Sequence, residues 1–188
     1  AVEVQVAAEG DSRPHIDQYL IRSAGSQRME DMLEIIAQED YHRVMVFANM
    51  KCTVRQLTER LQKRRGSVDC LHGDMPQALR NKVMAKFREN KLEILVATDV
   101  AARGIDVEDV EAVFNYDIPE ENEYYLHRIG RTGRAKRQGA AYTFYTDADQ
   151  YRLRDILKYT RSEATRMAFD SNRRLVPEET LQEDAPAD

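Results

Sequence analysis

EILVATDVAARGID, residues 93–106, begins as a five-residue strand, apolar after Glu93, and breaks at Thr98 into a polar turn carrying Gly104 and Asp106. A short continuous apolar run bounded by turn residues fits a strand covered on both faces, as in parallel sheets. The pattern recurs upstream in RVMVFA (43–48) and downstream in AVFNY (112–116) and AAYTFY (140–145). HIDQYLIR (15–22) alternates as a strand, and 67–71 adds a short one. Helical stripes lie between the strands: Met29, Met32, Leu33 and Ile36 on 27–38, Val54, Leu57 and Leu61 on 51–63, and Leu79, Val83 and Phe87 after Pro76. Pro76 suits a first helical turn, and Asp74 before it favours a helix start. A helix around 121–128 and a last one carrying Leu153, Ile156 and Leu157, with Asp147 or Asp149 as cap, complete the series.

Strand–helix alternation with short connections predicts an α/β domain of three layers, a mostly parallel central sheet with helices on both faces. Ligands of such sheets gather beyond the carboxyl ends of the strands. Three polar segments follow strands there: 72–76, 98–106 and 115–119. The expected organisation is a linker over 1–14, a domain over 15–160, and an extension over 161–188 ending in an acidic tail.

The 188 residues are 42% hydrophobic and 32% charged, an ordinary balance for one globular domain. No apolar run approaches the roughly 20 residues of a membrane helix. The first ten residues lack the basic and apolar regions of a signal peptide, so a cytoplasmic protein is expected. Cys52 and Cys70 have no metal-binding spacing, and the four histidines are scattered, so no metal site is expected in the chain. The net charge of −5 conceals a strong asymmetry. Arg128, Arg131, Arg134, Lys136 and Arg137 crowd one segment, while the residues from Pro177 onward hold acids and no base.

That basic segment contains HRIGRTGR (127–134). Its arginines stand three apart, interrupted by Gly130 and Gly133. Residues three apart share one side of a helix. Guanidinium groups grip phosphate with two prongs, and glycine permits a ligand's close approach. In TDVAARGID, Thr98 and backbone N–H groups can hold phosphate oxygens, and Asp106 can accept from sugar hydroxyls. In LHGDMPQALR (71–80), Gln77 and Arg80 sit at a helix start where the dipole favours an anion. Taken singly, the three segments also read as a solvated basic face, a capped turn and an ordinary amphipathic helix.

Together they resemble the C-terminal motor domain of bacterial DEAD-box RNA helicases, over roughly residues 15–160. VFAN near Phe47 resembles motif IV of that family, HGDMPQALR its QxxR element, ATDVAARGIDV motif V, and YLHRIGRTGR motif VI. The resemblance implies a RecA-like fold that works with ATP and RNA. It implies Arg131 and Arg134 as catalytic, reaching the γ-phosphate, with Arg134 as arginine finger. Asp106, Gly104, His127 and Arg128 would serve the nucleotide, Asp106 at the ribose and the last two coupling the domains. Arg80, Thr98, Gly104, Gly73 and Gln77 would contact the RNA backbone, with little sequence preference. Phe47 would pack under the arginine segment or simply in the core. Neither a GxxxxGK[ST] loop nor a DEAD string occurs in the 188 residues. The implied partner is therefore an N-terminal RecA-like domain that holds ATP and Mg2+, without which the chain is expected to lack ATPase activity. A binding module without turnover and half of a DNA helicase are the rival readings. Two departures stand out: Met50 where the family often has threonine, and Ala135–Lys136 where alanine–glycine is common.

Overall fold

The computed structural model describes residues 15–133 and 138–183. Strands β1 (His15–Arg22), β2 (Val44–Phe47), β3 (Val68–Leu71), β4 (Ile94–Ala97), β5 (Ala112–Asn115), β6 (Gln138–Tyr145), β7 (Thr165–Phe169) and β8 (Leu175–Pro177) form one sheet in the order β3-β4-β2-β5-β6-β1-β7-β8. Every neighbouring pair is parallel except the antiparallel β7–β8. Helices α1 (Arg28–Gln38) and α2 (Lys51–Gln62) cover one face, packing Met32, Ile36, Val54 and Leu57 on Val44, Val46, Val96 and Phe114. The other face carries α3 (Gln77–Arg88), the short α4 (Asp99–Ala102), α5 (Asn122–Ile129) and α6 (Gln150–Tyr159). A last helix, α7 (Glu178–Glu183), follows β8.

Strands β2, β4 and β5 are buried at all four positions, which explains their unbroken apolar sequences. Burying a side chain such as Phe114, 0% exposed, contributes about 1.5–3 kcal/mol. Two sequence expectations change. Leu79 is 45% exposed, because the contact face of α3 centres on Val83, Met84 and Phe87. Four-residue steps rotate Leu79 about 80° away from Phe87. The stretch set apart as an extension from 161 also continues the sheet: β7 pairs with β1, and the β7–β8 hairpin is tied to α1. Arg173 in its turn donates to Asp31 Oδ1 at 2.8 Å and to Glu34, and Leu175 N donates to Gln38 Oε1 at 3.1 Å. Those two carboxylates hold the Arg173 pKa above its ordinary value.

Candidate nucleotide and RNA site

The sheet order places the carboxyl ends of β3, β4, β2 and β5 side by side, and the segments following them meet there. Arg128 of α5 ties three of these segments together. Its Nε and Nη2 fork onto Asp99 Oδ1 and Oδ2, each at 2.6 Å, Nη2 also donates to Asn49 Oδ1 at 2.8 Å, and Nη1 donates to the Asp117 carbonyl at 2.9 Å. The residue is 1% exposed, and its guanidinium lies 5.5 Å from the centre of the Phe47 ring. Phe47 is thus both core and floor for this arginine. A buried charge needs such complete pairing, because an unpaired one is expensive. Arg128 is therefore held inside the domain as a tie between α5 and the strand ends.

Arg131 lies just past the last residue of α5 and reaches back over the turn after α4. It donates to the carbonyls of Ile105 (2.6 Å), Ala102 (2.9 Å) and Val107 (3.4 Å). Burial lowers its pKa, and the Asp106 charge works against that shift. Within the turn, Gly104 adopts φ +78 with nothing within 4 Å of where a Cβ would stand, so the backbone is open to a ligand there. Asp106 is exposed on the same turn. Thr98 caps α4, its Oγ1 accepting from Ala101 N at 3.3 Å. Arg80 reaches the Ala101 carbonyl at 3.3 Å, and its buried Nε finds no partner. His72 shapes the turn at Gly73, its Nδ1 accepting from Asp74 N at 3.3 Å; burial lowers its pKa.

Two cavities result. One, of about 180 Å3, brings together Gly104, His127, Arg128 and Arg131. The other, of about 240 Å3, brings together Gly73 and Thr98 with Asn49, Lys51 and Val100. Asp99 and Tyr124 line both and form the wall between them. Gln77 stands outside both, bonded to Asn81. Arg134 lies outside the described residues. A larger cavity of about 590 Å3, lined by Tyr19, Tyr41 and Tyr142, sits elsewhere and contains no candidate site residue. Sequence reasoning passed over Asn49, Asp99, Tyr124 and Asp117. Asp99 was signalled by its place beside Thr98 in the same motif.

Gly133 serves a different purpose from the one its sequence suggests. At φ +69, a Cβ there would stand 2.6 Å from both the His15 carbonyl oxygen and Ile16 Cγ1. The space freed by this glycine is filled by β1 rather than by a ligand.

Comparison with known proteins identifies the family and the fold. Residues 27–136, more than half the chain, match the helicase conserved C-terminal domain family. The chain is 41% identical to the ATP-dependent RNA helicase CshA of Limosilactobacillus reuteri over 158 residues, which make up 84% of this chain and 32% of that protein. The chain thus spans about a third of the length of this curated relative. The structure resembles that of the E. coli DEAD-box protein SrmB solved bound to the regulator of ribonuclease activity A, with a TM-score of 0.76 and 34% identity over 94% of this chain and all of that one. It also resembles S. cerevisiae Dbp5 solved bound to RNA and ADP BeF3, with a TM-score of 0.74 and 31% identity over 89% of this chain and 43% of that one. On the matched family, the fold and the motif-bearing strand ends, this chain belongs to the helicase conserved C-terminal domain family, in its DEAD-box branch.

Proposed function

We propose that the chain is the C-terminal motor half of an ATP-dependent RNA helicase, completing a nucleotide site whose phosphate-cradling part lies on an N-terminal RecA-like domain. The observation that carries this reading is the pair of adjoining cavities, one lined by Arg131 and His127 and the other by Gly73 and Thr98, sharing Asp99 and Tyr124 as their wall. A wall common to both gives one rigid element through which RNA and nucleotide can sense each other. Arg131 and Arg134 stabilise the charge that develops on the transferred γ-phosphoryl group. Asp106 accepts from the ribose, and the open backbone at Gly104 lets the ligand approach closely. His127, exposed at the rim, faces the other domain.

On the RNA side, Gly73, Gln77, Arg80 and Thr98 hold the sugar–phosphate backbone, which positions the strand without reading its bases. Gly104 borders both ligands. Closure of the two domains on ATP and RNA then bends one strand and opens a short duplex. Among the described residues no group of three or more His, Cys, Asp or Glu side chains could hold a metal ion; in this reading magnesium accompanies the ATP on the other domain. Also among the described residues, no helix is long and apolar enough to cross a membrane.

The test joins this chain to its nucleotide-binding half and changes Arg134→Ala. RNA-stimulated ATP hydrolysis should fall about 10³-fold or more, the range of arginine fingers. Unchanged hydrolysis refutes the assignment. The chain alone should bind RNA weakly, with strong salt dependence, and should not turn over ATP.

A further inference from the structure

Beneath α5 a row of polar side chains is sealed from water. Gln18 of β1, Asn115 of β5, Thr143 of β6 and Tyr125 of α5 are each 1% exposed or less. Asn115 Nδ2 donates to Thr143 Oγ1 at 2.9 Å, and the Tyr125 hydroxyl donates to Gln18 Oε1 at 2.5 Å. Asn115 Oδ1 and Gln18 Nε2 find no partner. Burial pushes the Tyr125 pKa well up, so its hydroxyl keeps the proton it donates.

Such a row stabilises less than hydrocarbon of the same volume would, because two of its atoms are desolvated without compensation. Hydrocarbon packing is at hand, with Ile16, Ile129, Ala141 and Ile156 in the same cluster as Tyr125. What the row adds is direction. Apolar contacts allow an eight-residue helix to slide, whereas hydrogen bonds weaken steeply with distance and angle. Tyr125, Arg128 and Arg131 follow one another at three-residue spacing. Tyr125 anchors to β1, Arg128 anchors to the ends of β2, β4 and β5, and Arg131 follows where the helix ends.

We propose that Tyr125 is a positioning residue: its hydroxyl, held by Gln18, fixes α5 along its axis and so sets where Arg131 stands relative to the phosphate. The proposal rests on the function argued above. In the full-length ATPase, Tyr125→Phe should lower kcat roughly ten- to hundredfold, the effect of a misplacement of about 1 Å, with KM for ATP changed less than about twofold. Its melting temperature should fall by about 5 °C, because the Gln18 carbonyl is left unpaired. Adding Gln18→Leu removes that orphan and should recover most of the melting temperature while kcat stays low.

If kcat returns together with stability, the row is only structural and the proposal falls. A Tyr125→Phe enzyme with the parent's kcat overturns it as well. Absence of RNA-stimulated ATPase in the unaltered protein would sink the functional reading instead. Positioning is then read from amide hydrogen exchange at residues 128–131. Protection lost in Tyr125→Phe and not regained in the double variant supports the proposal; unchanged protection overturns it.

Discussion

Replacing Asp99 by asparagine keeps the shape of the side chain beside Arg128 and removes its charge. In the structure the carboxylate takes two N–H groups of the guanidinium, at 2.6 Å each, with the arginine side chain 0% and the aspartate 11% exposed. Breaking a buried ion pair from one side costs about 3–5 kcal/mol, because the surviving charge stays buried. Arg128 retains the Asn49 and Asp117 oxygens, and the new amide can still accept one bond, which lowers the expected loss to about 2–4 kcal/mol. For a domain of this size that is a fall in Tm of roughly 4–16 °C. Urea melts of the parent, Asp99→Asn, Arg128→Met and the double variant measure it directly. The two single losses should exceed the double loss by about 1–3 kcal/mol, since removing both partners leaves no orphan charge. Strict additivity, or an Asp99→Asn loss below about 0.5 kcal/mol, would refute the description of Arg128 as a buried tie.

Two glycines with positive φ should respond differently to alanine. At Gly104 the surroundings are open, so the strain alone, about 1 kcal/mol, should appear in the urea midpoint; at Gly133 the clash with His15 and Ile16 should raise the loss above about 2 kcal/mol. Met50 precedes α2 with extended backbone, and no side chain caps that helix, so Met50→Thr should stabilise by about 1 kcal/mol in the same assay. His72 is 7% exposed with a lowered pKa, so the unfolded chain binds its proton more readily. Its contribution to stability should therefore be lost as pH falls through the unfolded pKa near 6.5 toward the lower folded one. His72→Gln should flatten that part of the stability–pH curve relative to the parent, and an NMR titration should place the folded pKa below 6.5.

Much of the fold could be read from runs such as VMVF and ILVA, because a strand covered on both faces must be apolar at every position. TRMAF of β7 carries no such mark. It is half-buried at the sheet margin and is held by pairing with β1 and by Arg173 on Asp31 and Glu34, partners more than 130 residues away in sequence. The arginine spacing in 127–134 pointed to phosphate chemistry but could not separate the roles of its members. Arg128 is occupied by Asp99, Asn49 and Asp117, which only the sheet order β4-β2-β5 brings together. The Gln18–Tyr125 bond was equally hidden, since nothing local in either segment announces a partner 107 residues away.

The contact between Gly133 and His15 has a mechanical consequence. Tension applied to the chain at His15 loads β1 along its length, against eight register pairs with β6 and three with β7. Those pairs must yield together rather than one after another, so the strand resists as a shear joint and not as a zipper. The loaded end of that joint touches Gly133, at the close of the arginine segment. Force entering the domain there meets the residues next to Arg131 before it can loosen the sheet.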